Sequence, residues 1–244
     1  MRRLVLALAL GLAPAMAAAV GGAKLDEVDI DLSNKAALQR GAKYFANYCL
    51  SCHSAAYARY KGVGDDLGLT KDQVERNLIF DDSKVGETMT VAMSDKAAED
   101  WFGAPPPDLS LVARSRGPDW LYTYLRSFYL DDSRPMGVNN LVFPNVGMPH
   151  VLWQLQGWQR LVEETKVDED GHEHTVKHLE LVKEGSMTSA EYDRMVRDLV
   201  TFLTYLGEPA KLERRELGVY VLLFLAVLFV VAYLLKKEYW RDIH

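Results

Sequence analysis

The chain has 244 residues, 49% of them hydrophobic, and a formal net charge of −6 at pH 7 from 28 Lys and Arg against 34 Asp and Glu. Its length and apolar content suffice for one domain with its own core, which excludes a disordered chain. The acidic balance argues against nucleic acid as a partner.

Arg2 and Arg3 precede an apolar run that ends in the small residues Ala15, Ala17 and Ala19. This is the layout of a secretory leader cleaved after Ala17 or Ala19, and the run is short for a span of about 20 residues. Residues 1–19 are therefore expected to be a signal peptide and residues 20–215 an exported domain. From Asn34 to Tyr48, Leu38, Gly41, Ala42, Phe45 and Tyr48 recur at three-to-four spacing behind a capping Asn34. That pattern predicts a helix in which Gly41 permits close packing.

Directly after it, Cys49, Leu50, Ser51, Cys52 and His53 spell CLSCH, the signature for covalent attachment of a c-type haem. On a helical turn, thiols three positions apart can each add to one porphyrin vinyl group. The adjacent histidine then lies under the iron as its proximal ligand. A thioredoxin-like pair wants a βαβ context and a zinc site wants two further ligands at matching spacing; neither is present near this turn. These are the only two cysteines, so the motif accounts for one haem and leaves no thiol for a disulfide or cluster.

Short helices are expected around Lys71 to Ile79, Lys96 to Trp101 and Pro118 to Tyr129, joined by loops rich in Gly, Pro and Asp. Such loops can pack onto a porphyrin's apolar surface instead of onto each other. Arg114 and Arg116 suit two-point pairing with the carboxylates of haem propionates. In FPNVGMPHVLW, Met148 sits on a Pro- and Gly-rich loop and offers a thioether to low-spin iron. On residue chemistry alone His150, Met136, Met89 and Met93 remain beside it, because methionine commonly fills cores.

Leu161 to Val167 and Thr175 to Val182 read as two strands of a hairpin around the acidic turn from Asp168 to Gly171. His172, His174 and His178 share one parity and could face a metal, but no cysteine is free to complete a shell. A solvated face is the expectation. Thr188 to Leu206 is amphipathic, with Thr188 and Glu191 as a capping box and Gly207 and Pro209 as its end. This helix and the one before CLSCH are expected to cross beside the haem.

Leu217 to Leu235 is an uncharged apolar run of spanning length. A membrane anchor over residues 216–235 and a cytoplasmic tail over residues 236–244 follow, with Lys236 and Lys237 on the inner side and Tyr239 and Trp240 at the interface. Setting aside the leader's two arginines and the tail's three basic and two acidic residues leaves the exported domain at −9. That surface would steer a basic redox protein.

These residues match a known family. CLSCH, GLTKDQVERNLIF at Gly68 to Phe80, WFGAPPPDLSLVARSRG at Trp101 to Gly117, FPNVGMPH at Phe143 to His150 and the anchor ending in KKEYWRDIH resemble bacterial cytochrome c1. The resemblance implies a mostly α, class I cytochrome c-like haem domain with loop and small β-hairpin insertions, plus one C-terminal transmembrane helix. It implies one covalently bound haem c, thioether sites at Cys49 and Cys52, and His53 and Met148 as axial ligands. Pro106, Pro107 and Asp108 would lie against the haem, and Arg114 would pair a propionate.

The implied role is the electron-transfer subunit of ubiquinol:cytochrome c reductase in the bacterial inner membrane, with its haem domain in the periplasm. Electrons would pass from the Rieske iron-sulfur protein to a soluble cytochrome c, and cytochrome b would accompany the anchor. A free-standing anchored monohaem cytochrome donating to an oxidase is the alternative. A haem peroxidase would need an exchangeable coordination position.

Overall fold

A computed structural model describes residues 24–167 and 173–241. The leader, the acidic turn with His172, and the last three residues lie outside the described residues.

The core is organised by two crossing helices, as expected. Helix α1, Lys35–Tyr44, starts at Asn34, whose side chain accepts from the Ala37 amide. Helix α8, Ser189–Gly207, starts at Thr188, whose capping box with Glu191 is complete. Gly41 is the crossing point: a Cβ there would lie 2.2 Å from the Asp198 carbonyl oxygen and 2.7 Å from Phe202 Cβ. Phe45 and Phe202 pack with ring centroids 5.5 Å apart, and Arg40 Nε sits 2.6 Å from Asp198 Oδ2.

The chain after α1 does not stay α-helical. Phe45–Cys49 forms a π-helical turn, with the Leu50 amide donating to Phe45 O at 3.0 Å. Such a turn inserts one extra residue and is frequent at functional sites. Here it delivers Cys49 to the core side. Between the crossing helices run α2 (Tyr60–Leu67), α3 (Lys71–Asn77), α4 (Asp95–Phe102), α5 (Val112–Arg116), α6 (Pro118–Arg126) and α7 (Trp153–Gln156). Tyr205 on α8 donates to Asp66 on α2 at 2.5 Å, and Tyr192 donates to Leu125 O at 2.8 Å.

Three antiparallel strand pairs complete the described residues: β1 (Ala55–Arg59) with β2 (Thr88–Met89), β3 (Phe128–Leu130) with β4 (Val138–Asn140), and β5 (Gly157–Val167) with β6 (Glu173–Glu184). The last pair is the expected hairpin, longer than read from sequence, in register with Leu161 opposite Leu179. Gln156 and Gln159 side-chain amides both donate to Arg126 O at 2.9 Å and hold the hairpin base against the end of α6. Helix α6 stops three residues earlier than expected because Phe128 leaves to pair with Asn140.

Helix α9, Lys211–Tyr239, contains a 27-residue stretch, Glu213–Tyr239, long and apolar enough to cross a membrane, with none of its apolar window buried. At 1.5 Å per residue it covers roughly 40 Å, more than a hydrocarbon core of about 30 Å. The fold is thus mostly α, with small strand pairs and one C-terminal apolar helix.

Candidate haem site

The CLSCH turn is fixed by its own backbone. The Cys52 and His53 amides both donate to Cys49 O, at 3.0 and 2.8 Å. Both thiols are free; Cys49 is buried, which pushes its pKa up to about 12, and Cys52 is half-buried. His53 Nδ1 lies 2.7 Å from Pro107 O. A carbonyl can only accept, so that nitrogen carries the proton and Nε2 keeps its lone pair for a metal. Burial lowers the His53 pKa below its ordinary value and favours the neutral ligand form.

The proline-rich segment reaches His53 because it zips onto the chain just after it. Leu109 N donates to Ser54 O at 2.8 Å, and the Asp108 carboxylate accepts from the Ala56 amide at 2.9 Å and the Ser110 amide at 2.7 Å. Asp108 therefore holds Pro107 in place through the backbone. Pro106 is half-buried beside it.

Met148 lies on a loop that two buried asparagines shape. Asn140 Oδ1 accepts from the Val142 and Phe143 amides at 2.9 and 3.2 Å, and Asn139 Oδ1 accepts from the Asn145 amide at 2.8 Å. Asn145 itself takes a left-handed φ of 63°, which asparagine tolerates better than most residues. The result is a half-buried Met148 whose sulfur receives the Tyr124 hydroxyl at 3.3 Å.

The rivals are placed differently. Met89 is fully buried opposite Ala55 in β2. His150 is 4% exposed, stacked on Phe128 at 5.1 Å and edge-on to Trp158 at 5.8 Å, and burial lowers its pKa to about 4. It fills the core beneath the loop. Met136 and Met93 are half-buried.

The two arginines part company. Arg114 is exposed and covers Gly207, where a Cβ would lie 3.1 Å from its Cγ. It lines a cleft of about 270 Å³ with Ala113, Pro118, Thr204, Glu208 and Lys211 at the start of α9. Arg116 lies over Trp120, 5.1 Å from the ring centroid, and 5.9 Å from that of Phe143. Trp120 in turn stacks on Tyr124 at 4.9 Å, so Arg116 shares the Met148 side. In the hairpin, His178 Nε2 is 3.6 Å from Glu180. The His172 and His174 side chains lie outside what the structure describes.

These residues fit a covalently bound haem: two free thiols on one turn, an imidazole with its second nitrogen engaged, and a thioether on a pinned loop. A model of the Cytochrome C1 family matches residues 30–243. The chain belongs to the cytochrome c1 family. It is 57% identical, over the full length of both chains, to cytochrome c1 of Allochromatium vinosum. It is 52% identical, over 98% of this chain and 97% of the other, to a Nitrosomonas europaea protein named ammonia monooxygenase gamma subunit. A Bradyrhizobium diazoefficiens protein named cytochrome b/c1 is 25% identical over 86% of this chain and 34% of its own.

As a member of the cytochrome c1 family the chain is a membrane-anchored haem electron-transfer subunit of the bc1 complex and carries one covalently attached haem c. Sequence reasoning missed Tyr124, Asn139 and Asn140 as parts of this site's frame. An asparagine pair before a loop has the same signature as any turn, and nothing in the local pattern tells its buried role.

Proposed function

We propose that Cys49 and Cys52 form the thioether links, that His53 and Met148 are the axial ligands, and that the chain relays single electrons from the Rieske iron-sulfur protein to a soluble periplasmic cytochrome c. The observation that carries this reading is the His53 to Pro107 hydrogen bond, which prepares Nε2 as a ligand within the CLSCH turn. The haem supplies one-electron exchange at iron when bound. Pro107 orients the imidazole, Asp108 holds Pro107, and the two asparagines hold the methionine loop. With both axial positions taken by protein side chains no site remains for a substrate, which favours a relay over an oxidising enzyme.

Arg116 is the better propionate partner than Arg114. Its guanidinium shares the aromatic cluster of Trp120, Tyr124 and Phe143, whereas Arg114 packs at the foot of α8. Cytochrome b is the partner of the anchor; the Bradyrhizobium relative's name joins b and c1 in one chain.

Residues 1–19 are a cleaved leader, residues 20–215 the periplasmic domain, residues 216–235 the anchor and residues 236–244 the cytoplasmic tail. Basic residues flank the span on both sides, Lys211, Arg214 and Arg215 before it and Lys236, Lys237 and Arg241 after it. The charge rule is thus nearly balanced here. The leader and the exported site of haem attachment carry the orientation.

Two experiments test this reading. A chain stopped after Arg215 and exported with its leader is expected to accumulate as a soluble, haem-loaded, reducible domain, because the core lies before α9. Haem-free or insoluble product from a competent maturation host contradicts the proposed boundary. Oxidation of the reduced protein by a basic cytochrome is expected to slow severalfold between low and physiological ionic strength, since salt screens long-range attraction. A rate indifferent to salt removes the steering role of the −9 domain.

A further inference from the structure

We propose that Tyr124 is a positioning residue for electron transfer: by donating its hydroxyl to the Met148 sulfur it raises the reduction potential of the haem. The inference rests on the reading of Met148 as an iron ligand. The hydroxyl lies 3.3 Å from Sδ. A thioether sulfur has two lone pairs, so one can bind iron while the other accepts this proton.

Nothing about the tyrosine is left free to drift. Its residue is 9% exposed, its ring stacks on Trp120 at 4.9 Å and 10°, and Phe128 meets it edge-on at 5.1 Å and 68°. Its carbonyl accepts from Asn140 Nδ2 at 2.8 Å, and Asn140 is the residue that shapes the methionine loop. Donor and acceptor are therefore mounted on one frame. A phenol buried at this depth needs a partner, and the sulfur is the one in reach.

The direction of the effect follows from charge. The hydrogen bond draws electron density from the sulfur and sets the positive end of the O–H dipole beside the iron. Both penalise the ferric state more than the ferrous one, and the low dielectric of the core strengthens them.

The test uses the full chain in native membranes and compares Tyr124→Phe with the parent by equilibrium redox titration and visible spectroscopy. Phenylalanine keeps the ring, the stacking and the volume. The haem is expected to stay low-spin with its methionine-to-iron charge-transfer band, while the equilibrium constant for reduction falls about threefold or more, about 28 mV at 59 mV per tenfold for one electron. Incorporation of 3-fluorotyrosine at position 124, a stronger donor of the same shape, is expected to move the potential the opposite way. In a Met148→Leu background the Tyr124→Phe change is expected to have no effect, because the sulfur is gone. An unchanged potential in Tyr124→Phe with the band intact, or an equal shift in both backgrounds, overturns the proposal. If Met148→Leu alone remains low-spin and closed to carbon monoxide, the ligand reading fails, and the proposal falls with it by a separately visible route.

Discussion

Met148→Leu is expected to leave the haem covalently attached yet open its sixth coordination position. The thioether bonds depend on Cys49 and Cys52, which sit on a turn held by its own backbone hydrogen bonds. The methionine loop is held separately by Asn139 and Asn140. Leucine is close to methionine in volume, so the half-buried position repacks at small cost, under about 1.5 kcal/mol. The expected spectrum is a partly high-spin haem that binds carbon monoxide when reduced. The potential is expected to fall by about 0.1 V or more, within the roughly 0.8 V range that axial ligands command. Attachment is checked by haem staining of the denatured chain and ligation by the visible spectrum. A low-spin spectrum that ignores carbon monoxide moves the ligand to another residue.

Gly41→Ala is expected to be among the most damaging single changes outside the CLSCH motif. The new Cβ would sit 2.2 Å from a backbone oxygen of α8 and 2.7 Å from Phe202 Cβ. Neither is the movable end of a flexible side chain. Relief requires the two helices to separate, which strains the Phe45 and Phe202 contact and the Arg40 to Asp198 ion pair. Overpacking of this kind costs about 3 kcal/mol. In the soluble domain the denaturant midpoint is expected to fall accordingly with an unchanged slope, whereas Gly62→Ala, with nothing within 4 Å, is expected to be near neutral. Equal midpoints for the two variants contradict the close approach of the two helices at Gly41.

Where chemistry and capping are local, the sequence was readable. CLSCH, the Asn34 cap, the Thr188 and Glu191 box, the hairpin and the uncharged run from Leu217 to Leu235 all carry their signals within a few residues. The short pairs β1 with β2 and β3 with β4 were not readable. Strands of two to five residues have too few alternations to stand out, and they exist because distant segments meet. The π turn before Cys49 escaped for a similar reason, since one inserted residue leaves the apolar spacing of α1 intact. Arg114 and Arg116 are two positions apart on a five-residue helix, and only the packing of Gly207 and Trp120 separates their surroundings. His150 read as a rival ligand to Met148, whereas the structure stacks it on Phe128 in the core. That Tyr124 reaches the Met148 sulfur is a fact of tertiary structure.

The most direct test of the account is rapid mixing of the detergent-purified complex with ubiquinol, followed by an oxidised basic cytochrome c, while the c-type haem is watched optically. The account predicts that this haem is reduced by quinol and then reoxidised as the soluble cytochrome gains its electron. Reduction of the soluble cytochrome while the haem on Cys49 and Cys52 stays oxidised throughout would contradict it.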